Sequence, residues 1–329
     1  MNRIGELALK SLRKVYMKTL HPSPVMLLCE TDPDKASDII YQLLIKDDPC
    51  MIARFGSTEL NALSNYKAIL EKKRDLSRFI KGRCQQWWWN DLAIKQLETH
   101  SGFFPSNKET VTKFYQLMIN DIPLVDVLGS WRPEEVYFKE ELRNAKNVKL
   151  LCLEPYWSKN PWSRALKGKN VLVVHPFAED IYNQYNNREH LFENSGILPE
   201  FASLRVVKAV QSLGGEDNGF KGWFEALEWM KQEMDKEPYD IALIGCGAYG
   251  FPLAAHSKRT GHKAVHLGGA LQLLFGIKGK RWENPNYCKN WHMNPLDFYV
   301  KMMSNPYWVR PSLYAKPKSA EKVEDACYW

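Results

Sequence analysis

The chain has 329 residues, of which 45% are hydrophobic and 12% aromatic, and its formal net charge is +7. This length and apolar content support a full hydrophobic core in about two domains or one large one, which excludes a chain that is disordered over most of its length. The positive charge favours anionic partners, but it does not distinguish nucleic acid, acidic lipid headgroups and phosphorylated small molecules.

The cysteines and the hydropathy pattern predict a cytoplasmic protein. Seven cysteines, an odd number without a C-x-x-C pair, argue against a disulfide framework and against a zinc site. Cys288 and His292 are four residues apart and could share a metal, but no second pair of ligands accompanies them. No window reaches the roughly 18 to 20 apolar residues that a membrane span needs, and the N-terminus lacks the apolar core of a signal peptide.

The N-terminal segment NRIGELALKSLRKVYMKTL predicts a basic amphipathic helix. Its apolar arc consists of Ile4, Leu7, Ala8, Leu12, Val15 and Tyr16, and its basic arc of Arg3, Lys10, Arg13, Lys14 and Lys18. One interpretation is a helix that packs on the body and leaves its charged face in water. The other is a peripheral contact of residues 1–20 with an anionic membrane surface.

The breaker-rich sequence HPSP separates this arm from DPDKASDIIYQLLIK, which predicts a capped helix. The segment MIARFGSTEL at 51–60 then predicts an apolar strand that runs directly into Arg54, Gly56, Ser57 and Glu59. Arg and Glu are rarely buried unless they are paired, so this arrangement favours a site. The structural alternative is an Arg54–Glu59 ion pair at a strand-to-helix turn, with Ser57 as the N-cap.

Residues 60–120 have mostly helical spacing, and short apolar runs follow that predict strands. These runs are IPLVDVL (122–128), VKLLCL (148–153), NVLVVH (170–175), SLRVVKAV (203–210), YDIALIG (239–245) and HKAVHLG (262–268). Helical patterns lie between several of them, most clearly at 222–237. Strands that alternate with helices predict an α/β, Rossmann-like fold with a mainly parallel sheet and helices on both faces.

Three regions are predicted from this order. Residues 1–37 form the helical arm and linker, residues 38–282 form the Rossmann-type domain, and residues 283–329 form an irregular, aromatic C-terminal extension that packs on the domain.

The glycine turn, residues 245–250, is the most specific local pattern. Gly245, Gly247 and Gly250 match G-x-G-x-x-G between a predicted strand and a predicted helix, and Tyr249 lies within the motif. Small residues let the backbone approach a phosphate, and the N-terminus of the following helix offers free N–H groups. A dinucleotide would require an acid at the end of the next strand, which KAVHLGG lacks. A phosphate-bearing ligand of another kind and a purely structural turn remain alternatives.

Other polar residues and glycines follow predicted strands, where ligands of open α/β sheets bind. Glu154 follows VKLLCL, His175 ends NVLVVH, and His266 precedes Gly268 in KAVHLGG. Downstream, FGIKGKRW places Lys278, Lys280 and Arg281 around Gly279 in a flexible basic loop that could bind a diphosphate, although such a charge run is as often solvated.

Two of these segments resemble a known family. RFGSTEL resembles the R-F-G-D-G-E segment of glycosyltransferases of the GT-D fold, and the block from 239 to 282 resembles the strand, turn, helix and strand near the end of those domains. In that family the two acids bind the nucleotide-sugar diphosphate and its divalent metal. Glu59 matches the second acid, whereas Ser57 occupies the position of the aspartate, which weakens a site for Mn²⁺ or Mg²⁺.

The resemblance implies a glycosyltransferase that moves a sugar from a nucleotide-sugar donor to a glycan or lipid-linked acceptor in bacterial surface-polysaccharide synthesis. Arg54, Gly56, Ser57, the glycine turn, His266, Gly268 and Lys280 would bind the donor, Glu59 would also bind the metal, and Glu59, His175 and Glu154 are the candidate catalytic residues. The alternatives are a non-catalytic nucleotide-sugar-binding protein and an NAD-dependent oxidoreductase or methyltransferase. Nucleic-acid binding is not expected, because the basic residues are dispersed.

Overall fold

The computed structural model describes residues 3–212, 218–284, 295–312 and 328–329. Cys288 and His292, the pair considered above for a metal, lie outside the described residues. Five cysteines lie within the described residues, Cys29, Cys50, Cys84, Cys152 and Cys246, and all five are free thiols.

One seven-stranded parallel sheet organises the described part of the chain, in the order β3-β2-β1-β7-β6-β4-β5. The strands are β1 (Met51–Ala53), β2 (Val127–Ser130), β3 (Lys146–Lys149), β4 (Asn170–His175), β5 (Ser203–Lys208), β6 (Ile241–Ile244) and β7 (Lys263–His266). The predicted Rossmann-like α/β fold is therefore confirmed.

Helices cover both faces of this sheet. They are α1 (Arg3–Leu20), α2 (Pro33–Ile45), α3 (Ser57–Glu71), α4 (Leu76–Ile80), α5 (Asp91–Ser101), α6 (Lys108–Asp121), α7 (Ala178–Asn186), α8 (Arg188–Leu191), α9 (Trp223–Asp235), α10 (Gly250–Arg259), α11 (Leu271–Leu274), α12 (Lys280–Glu283) and α13 (Pro295–Met303). Residues of α2, α7, α11 and α13 pack on one face, and residues of α3, α5, α6, α9 and α10 pack on the other. None of the helices described is long and apolar enough to cross a membrane.

The strands are apolar on both sides because both sides are covered. In β4, Val171 and Val173 belong to one core, whereas Leu172 and Val174 belong to the other, and all four side chains are buried. The predicted cap of α2 is also present, since the Asp32 carboxylate accepts from the backbone N–H groups of residues 34 and 35.

Three predicted boundaries are wrong. The strand predicted at 148–153 ends at Lys149, and Leu150–Leu153 form a 3₁₀ helix whose leucines and Cys152 are largely buried. Ile122–Leu124, predicted as the start of a strand, is also a 3₁₀ helix. A short apolar run has no periodicity that separates a strand from a buried turn. The C-terminal extension, predicted to be irregular, contains α13, whose Tyr299 and Met303 pack in the core one helical turn apart.

The strand order determines where a site can form. β1, β7, β6 and β4 are consecutive neighbours, and they are parallel, so their carboxyl ends meet at one edge of the sheet. Arg54 follows β1, His266 ends β7, Gly245 follows β6 and His175 ends β4. Segments that are far apart in the sequence are thereby placed side by side.

Candidate functional site

A cavity of about 630 Å³ lies at these strand ends and is called the strand-end cavity below. Ten of the thirteen predicted site residues line it: Arg54, Gly56, Ser57, Glu59, His175, Gly245, Gly247, Tyr249, His266 and Gly268. The other three, Glu154, Gly250 and Lys280, do not. The volume falls in the range of about 300–1,000 Å³ that is usual for small-molecule sites.

Arg54 and Arg132 contact the same indole ring in the cavity wall. The Cζ atom of Arg54 lies 5.2 Å from the centroid of the Trp131 ring, and that of Arg132 lies 5.4 Å from it. The Trp131 ring is fixed by its Nε1–H, which donates to the carbonyl of Phe55 at 3.0 Å. Arg132 is further held by Glu134, whose carboxylate lies 3.0 Å from Nε. These contacts orient two guanidinium groups beside the cavity.

Glu59 lies in the first turn of α3 and folds back against Gly56. A Cβ at position 56 would overlap the Glu59 carboxylate. This packing accounts for a glycine at position 56 even if no ligand approaches its backbone. Burial raises the pKa of Glu59, while its own backbone N–H, the Arg54 charge and the Ser101 hydroxyl oppose the rise. The N-cap of α3 is Gly56 rather than Ser57, so the predicted Ser57 cap is wrong.

The glycine turn is tightly packed against the neighbouring strand ends. A Cβ at Gly245 would lie 2.6 Å from the carbonyl oxygen of Gly268, and one at Gly250 would overlap the ring of His266. Gly247 has a φ of +58° and lies against the end of α5. Tyr249 stacks on Trp223 with ring centroids 5.0 Å apart. Gly250 therefore serves packing, and Gly245 and Gly247 line the strand-end cavity.

Two buried histidines flank this turn in opposite tautomers. The Nδ1 atom of His175 accepts from the backbone N–H of Phe177 at 3.1 Å, so its Nε2 carries the proton. The Nδ1 of His266 lies 3.2 Å from the carbonyl of Ile244 and must donate to it, so its Nε2 bears the lone pair. Burial lowers the pKa of His175 to about 3, and burial together with the Arg54 charge lowers the pKa of His266 to about 3. Both imidazoles are neutral near pH 7.

Glu154 and Lys280 are placed away from the strand-end cavity. Glu154 follows the 3₁₀ helix that replaces the predicted strand, and its Oε2 accepts from Tyr299 at 2.6 Å and from Trp157 at 2.9 Å. Burial raises the pKa of Glu154 to about 7. Lys280 is exposed, and the next residue, Arg281, lines the cavity instead. Of the three cations in the basic loop, the structure therefore brings Arg281 to the strand-end cavity and leaves Lys278 and Lys280 outside it.

Several lining residues were missed by the sequence analysis: Trp131, Arg132, Tyr328 and Trp329. Arg281 donates from Nη1 to the Tyr328 hydroxyl at 2.8 Å, and Trp329 packs against Phe177. The pair Trp131–Arg132 directly follows β2, so a correct end for that strand would have identified it. Nothing near residues 328–329 in the sequence points to the strand-end cavity.

The donor atoms around Glu59 do not fit a divalent metal. Among the described lining residues Glu59 has the one side-chain carboxylate, and it faces the Arg54 charge. The described part of the chain contains no group of three or more His, Cys, Asp or Glu side chains that could hold a metal ion. Mg²⁺ and Mn²⁺ prefer several oxygen ligands, with charged carboxylates among them.

The fold and the cavity together define a Rossmann-like α/β protein with an arginine-lined cavity at the carboxyl ends of its parallel strands. Among the described residues, three arginines and one glutamate side chain line this cavity. Comparison of the chain with protein-family models, curated proteins and solved structures gives no match.

Proposed function

We propose that this chain is a glycosyltransferase that moves a sugar from a nucleoside-diphosphate sugar to a glycan or lipid-linked acceptor in bacterial surface-polysaccharide synthesis. The observation that carries the proposal is the convergence of RFGSTEL and the glycine turn on one arginine-lined cavity. These are the two segments that resemble GT-D glycosyltransferases, and they are about 190 residues apart in the sequence.

The arginines supply the charge that a departing diphosphate requires. Arg54, Arg132 and Arg281 provide planar guanidinium groups that can bind phosphate oxygens. The Nε and Nη2 of Arg132 already donate to Glu134, so Arg132 would contribute its remaining N–H groups. The N-cap of α3 is Gly56, which has no side chain, and the Glu59 carboxylate faces its own N–H, so in this proposal the N–H groups of Ser57 and Thr58 bind the anion. In this proposal guanidinium and backbone N–H groups stabilise the leaving group, and no step passes through a metal.

Glu59 is the proposed general base. The acceptor hydroxyl forms a bond from its oxygen to the anomeric carbon, the bond from that carbon to the diphosphate oxygen breaks, and the hydroxyl proton passes to Glu59. A carboxylate whose pKa is raised by burial accepts a proton more readily than an exposed one. His175 is revised from base to hydrogen-bond donor, because its Nδ1 lone pair is already used by Phe177 and its Nε2 carries the proton.

An oxidoreductase or methyltransferase is disfavoured by the ends of the strands beside β6. In the Rossmann-type enzymes that bind NAD or S-adenosylmethionine through such a glycine turn, a carboxylate there normally holds the ribose of the adenosine. The two neighbours of β6 are β4, which ends in His175, and β7, which ends in His266. Neither strand end supplies an acid.

A non-catalytic nucleotide-sugar-binding protein is the second candidate. The observation in its favour is that Ser57 occupies the position of the aspartate in the GT-D segment. Glu59 therefore has the one side-chain carboxylate among the described residues that line the cavity. Such a protein would bind the donor without transferring its sugar.

A thermal-shift screen tests these functions. The ligands are UDP, GDP, CMP and TDP sugars, NAD(H) and S-adenosylmethionine, each with and without Mn²⁺. We expect one nucleotide sugar to stabilise the protein without Mn²⁺, and Glu59→Gln to abolish transfer to added glycan or lipid acceptors. Glu179→Gln, at an exposed position on α7, is the control and should retain transfer. A response to NAD(H) or S-adenosylmethionine alone would contradict the proposal, and binding without transfer would assign the second candidate.

A further inference from the structure

Helix α1 presents its apolar arc to the outside of the molecule. The exposed fractions of its large apolar side chains are 78% for Ile4, 57% for Leu7, 53% for Leu12 and 62% for Val15. The interpretation that this helix packs on the body through its apolar arc is therefore wrong.

The opposite side of α1 is the side that holds it to the body. Arg13 donates from Nη1 to the carbonyl of Cys84 at 3.1 Å, and its Cζ lies 4.8 Å from the centroid of the Phe79 ring. Lys10 lies 6.0 Å from the centroid of Trp88. These contacts fix the helix to α4 and the loop after it, so the orientation of the apolar arc is set by the fold.

Two lysines assigned above to the basic arc, Lys14 and Lys18, lie beside the apolar side chains rather than with Lys10 and Arg13 on the side that meets the body. At 3.6 residues per turn, Lys14 and Lys18 project on the same side of α1 as Leu7 and Val15, and both lysines are exposed. An apolar strip bordered by lysines matches the surface of an anionic bilayer, where acyl chains lie beneath phosphate groups. A second copy of the helix on this face would instead bring like charges together.

We propose that α1 binds the surface of an anionic membrane, with Ile4, Leu7, Leu12 and Val15 at the boundary between headgroups and acyl chains and with Lys14 and Lys18 on lipid phosphates. The helix lies in the plane of the interface and keeps its contacts to α4. This surface contact is independent of the proposed transferase activity, since it uses no residue of the strand-end cavity.

Co-sedimentation of the full chain with lipid vesicles tests this surface. We expect binding to vesicles of phosphatidylcholine mixed with phosphatidylglycerol, little binding to phosphatidylcholine alone, and weaker binding at high salt. The double variant Leu7→Asp/Val15→Asp should lower the partition coefficient by at least about tenfold, because two apolar contacts become charged. Lys14→Glu/Lys18→Glu should lower it by about tenfold or more.

Matched changes elsewhere on the surface are the controls. Leu92→Asp alters a side chain that is 63% exposed on α5, and Lys46→Glu/Lys167→Glu makes the same charge change as the lysine variant at two exposed positions outside α1. Leu92→Asp should bind vesicles as the wild type does. Lys46→Glu/Lys167→Glu should lower the partition coefficient less than Lys14→Glu/Lys18→Glu does. Circular dichroism checks that each variant is folded.

Three results would overturn the proposal. The first is the absence of vesicle binding by the folded wild-type chain. The second is equal binding by the wild type and the Leu7→Asp/Val15→Asp variant. The third is a dimer that this variant dissociates while neither form binds vesicles, which would assign the face to a second copy of the chain.

Discussion

The substitution Gly245→Ala tests whether the glycine turn is as closely packed as the structure describes. The added Cβ would lie 2.6 Å from the carbonyl oxygen of Gly268, which is 0.8 Å short of the 3.4 Å at which ordinary contact begins. It would also lie 2.9 Å from Cδ2 of His175 and 2.9 Å from Cβ of Leu271. These neighbours come from two separate segments, the end of β4 and residues 268–271, and two of the contacts are to atoms that cannot turn away by side-chain rotation.

We expect Gly245→Ala to lower the free energy of unfolding by about 1–3 kcal/mol, the usual cost of overpacking a core. This is a sizeable part of the roughly 5–15 kcal/mol by which a domain is stable. Urea unfolding measures it as a lower midpoint at an unchanged m-value. Displacement of Gly268 or His175 should also narrow the strand-end cavity and weaken the thermal shift caused by a nucleotide sugar.

Gly222→Ala is the matched control. Gly222 has an extended backbone with φ of −174°, and a Cβ there would meet its nearest neighbours at an ordinary 3.6 Å. The free energy of unfolding of Gly222→Ala should be close to that of the wild type. Replacing glycine by alanine restricts the unfolded chain, which stabilises the protein by about 0.4–1 kcal/mol, but alanine is a poorer N-cap than glycine, which offsets this gain. Equal stability of Gly245→Ala and the wild type would refute the packing described for the glycine turn.

Three further predictions concern charge. The pKa of His175 is lowered to about 3 from an ordinary 6.5, so between these pH values the unfolded chain binds one more proton than the folded chain, and stability falls on acidification. His175→Gln should make that fall shallower by up to about 1.4 kcal/mol per pH unit. An unchanged dependence of the unfolding free energy on pH, measured with urea, would contradict this. The pKa of Glu154 is raised to about 7 from an ordinary 4.5, so the folded chain keeps the proton and stability falls as pH rises through this window. Glu154→Gln still offers an oxygen to its two donors and should remove that fall, which unfolding at about pH 5 and pH 8 would measure. Ser57→Asp adds a second acid to the site, so Mn²⁺ should then increase the thermal shift with a nucleotide sugar; no gain over the wild type would count against the role given to Ser57.

The sequence was sufficient to predict the parallel sheet and much of the site. Strands that are buried on both faces appear as continuous apolar runs, and the residues that follow such runs lie at one edge of the sheet. This reasoning placed His175, Gly245 and His266 correctly. It failed for Glu154, because VKLLCL contains a buried 3₁₀ helix that has the same apolar composition as a strand.

The missed residues depended on distances that no local pattern contains. Arg132 reaches the strand-end cavity because β2, which it follows, pairs with β1, and β1 in turn pairs with β7, the last strand of the chain. The direction in which α1 faces was also beyond the sequence. Its amphipathic spacing identified the apolar arc, but the contacts of Arg13 with Cys84 and Phe79 decide which side meets the body.

The most direct test of the account is whether the strand-end cavity binds a nucleoside diphosphate through its arginines. Isothermal titration of the purified chain with UDP, GDP and TDP in EDTA measures this. We expect one of these nucleotides to bind. Arg54→Met should raise its Kd by about tenfold or more, because a hydrogen bond to a charged group contributes about 1.5–3 kcal/mol. Arg74→Met, at an exposed position outside the cavity, should bind as the wild type does. If none of the three binds without a metal, or if Arg54→Met binds equally well, the account of this site is contradicted.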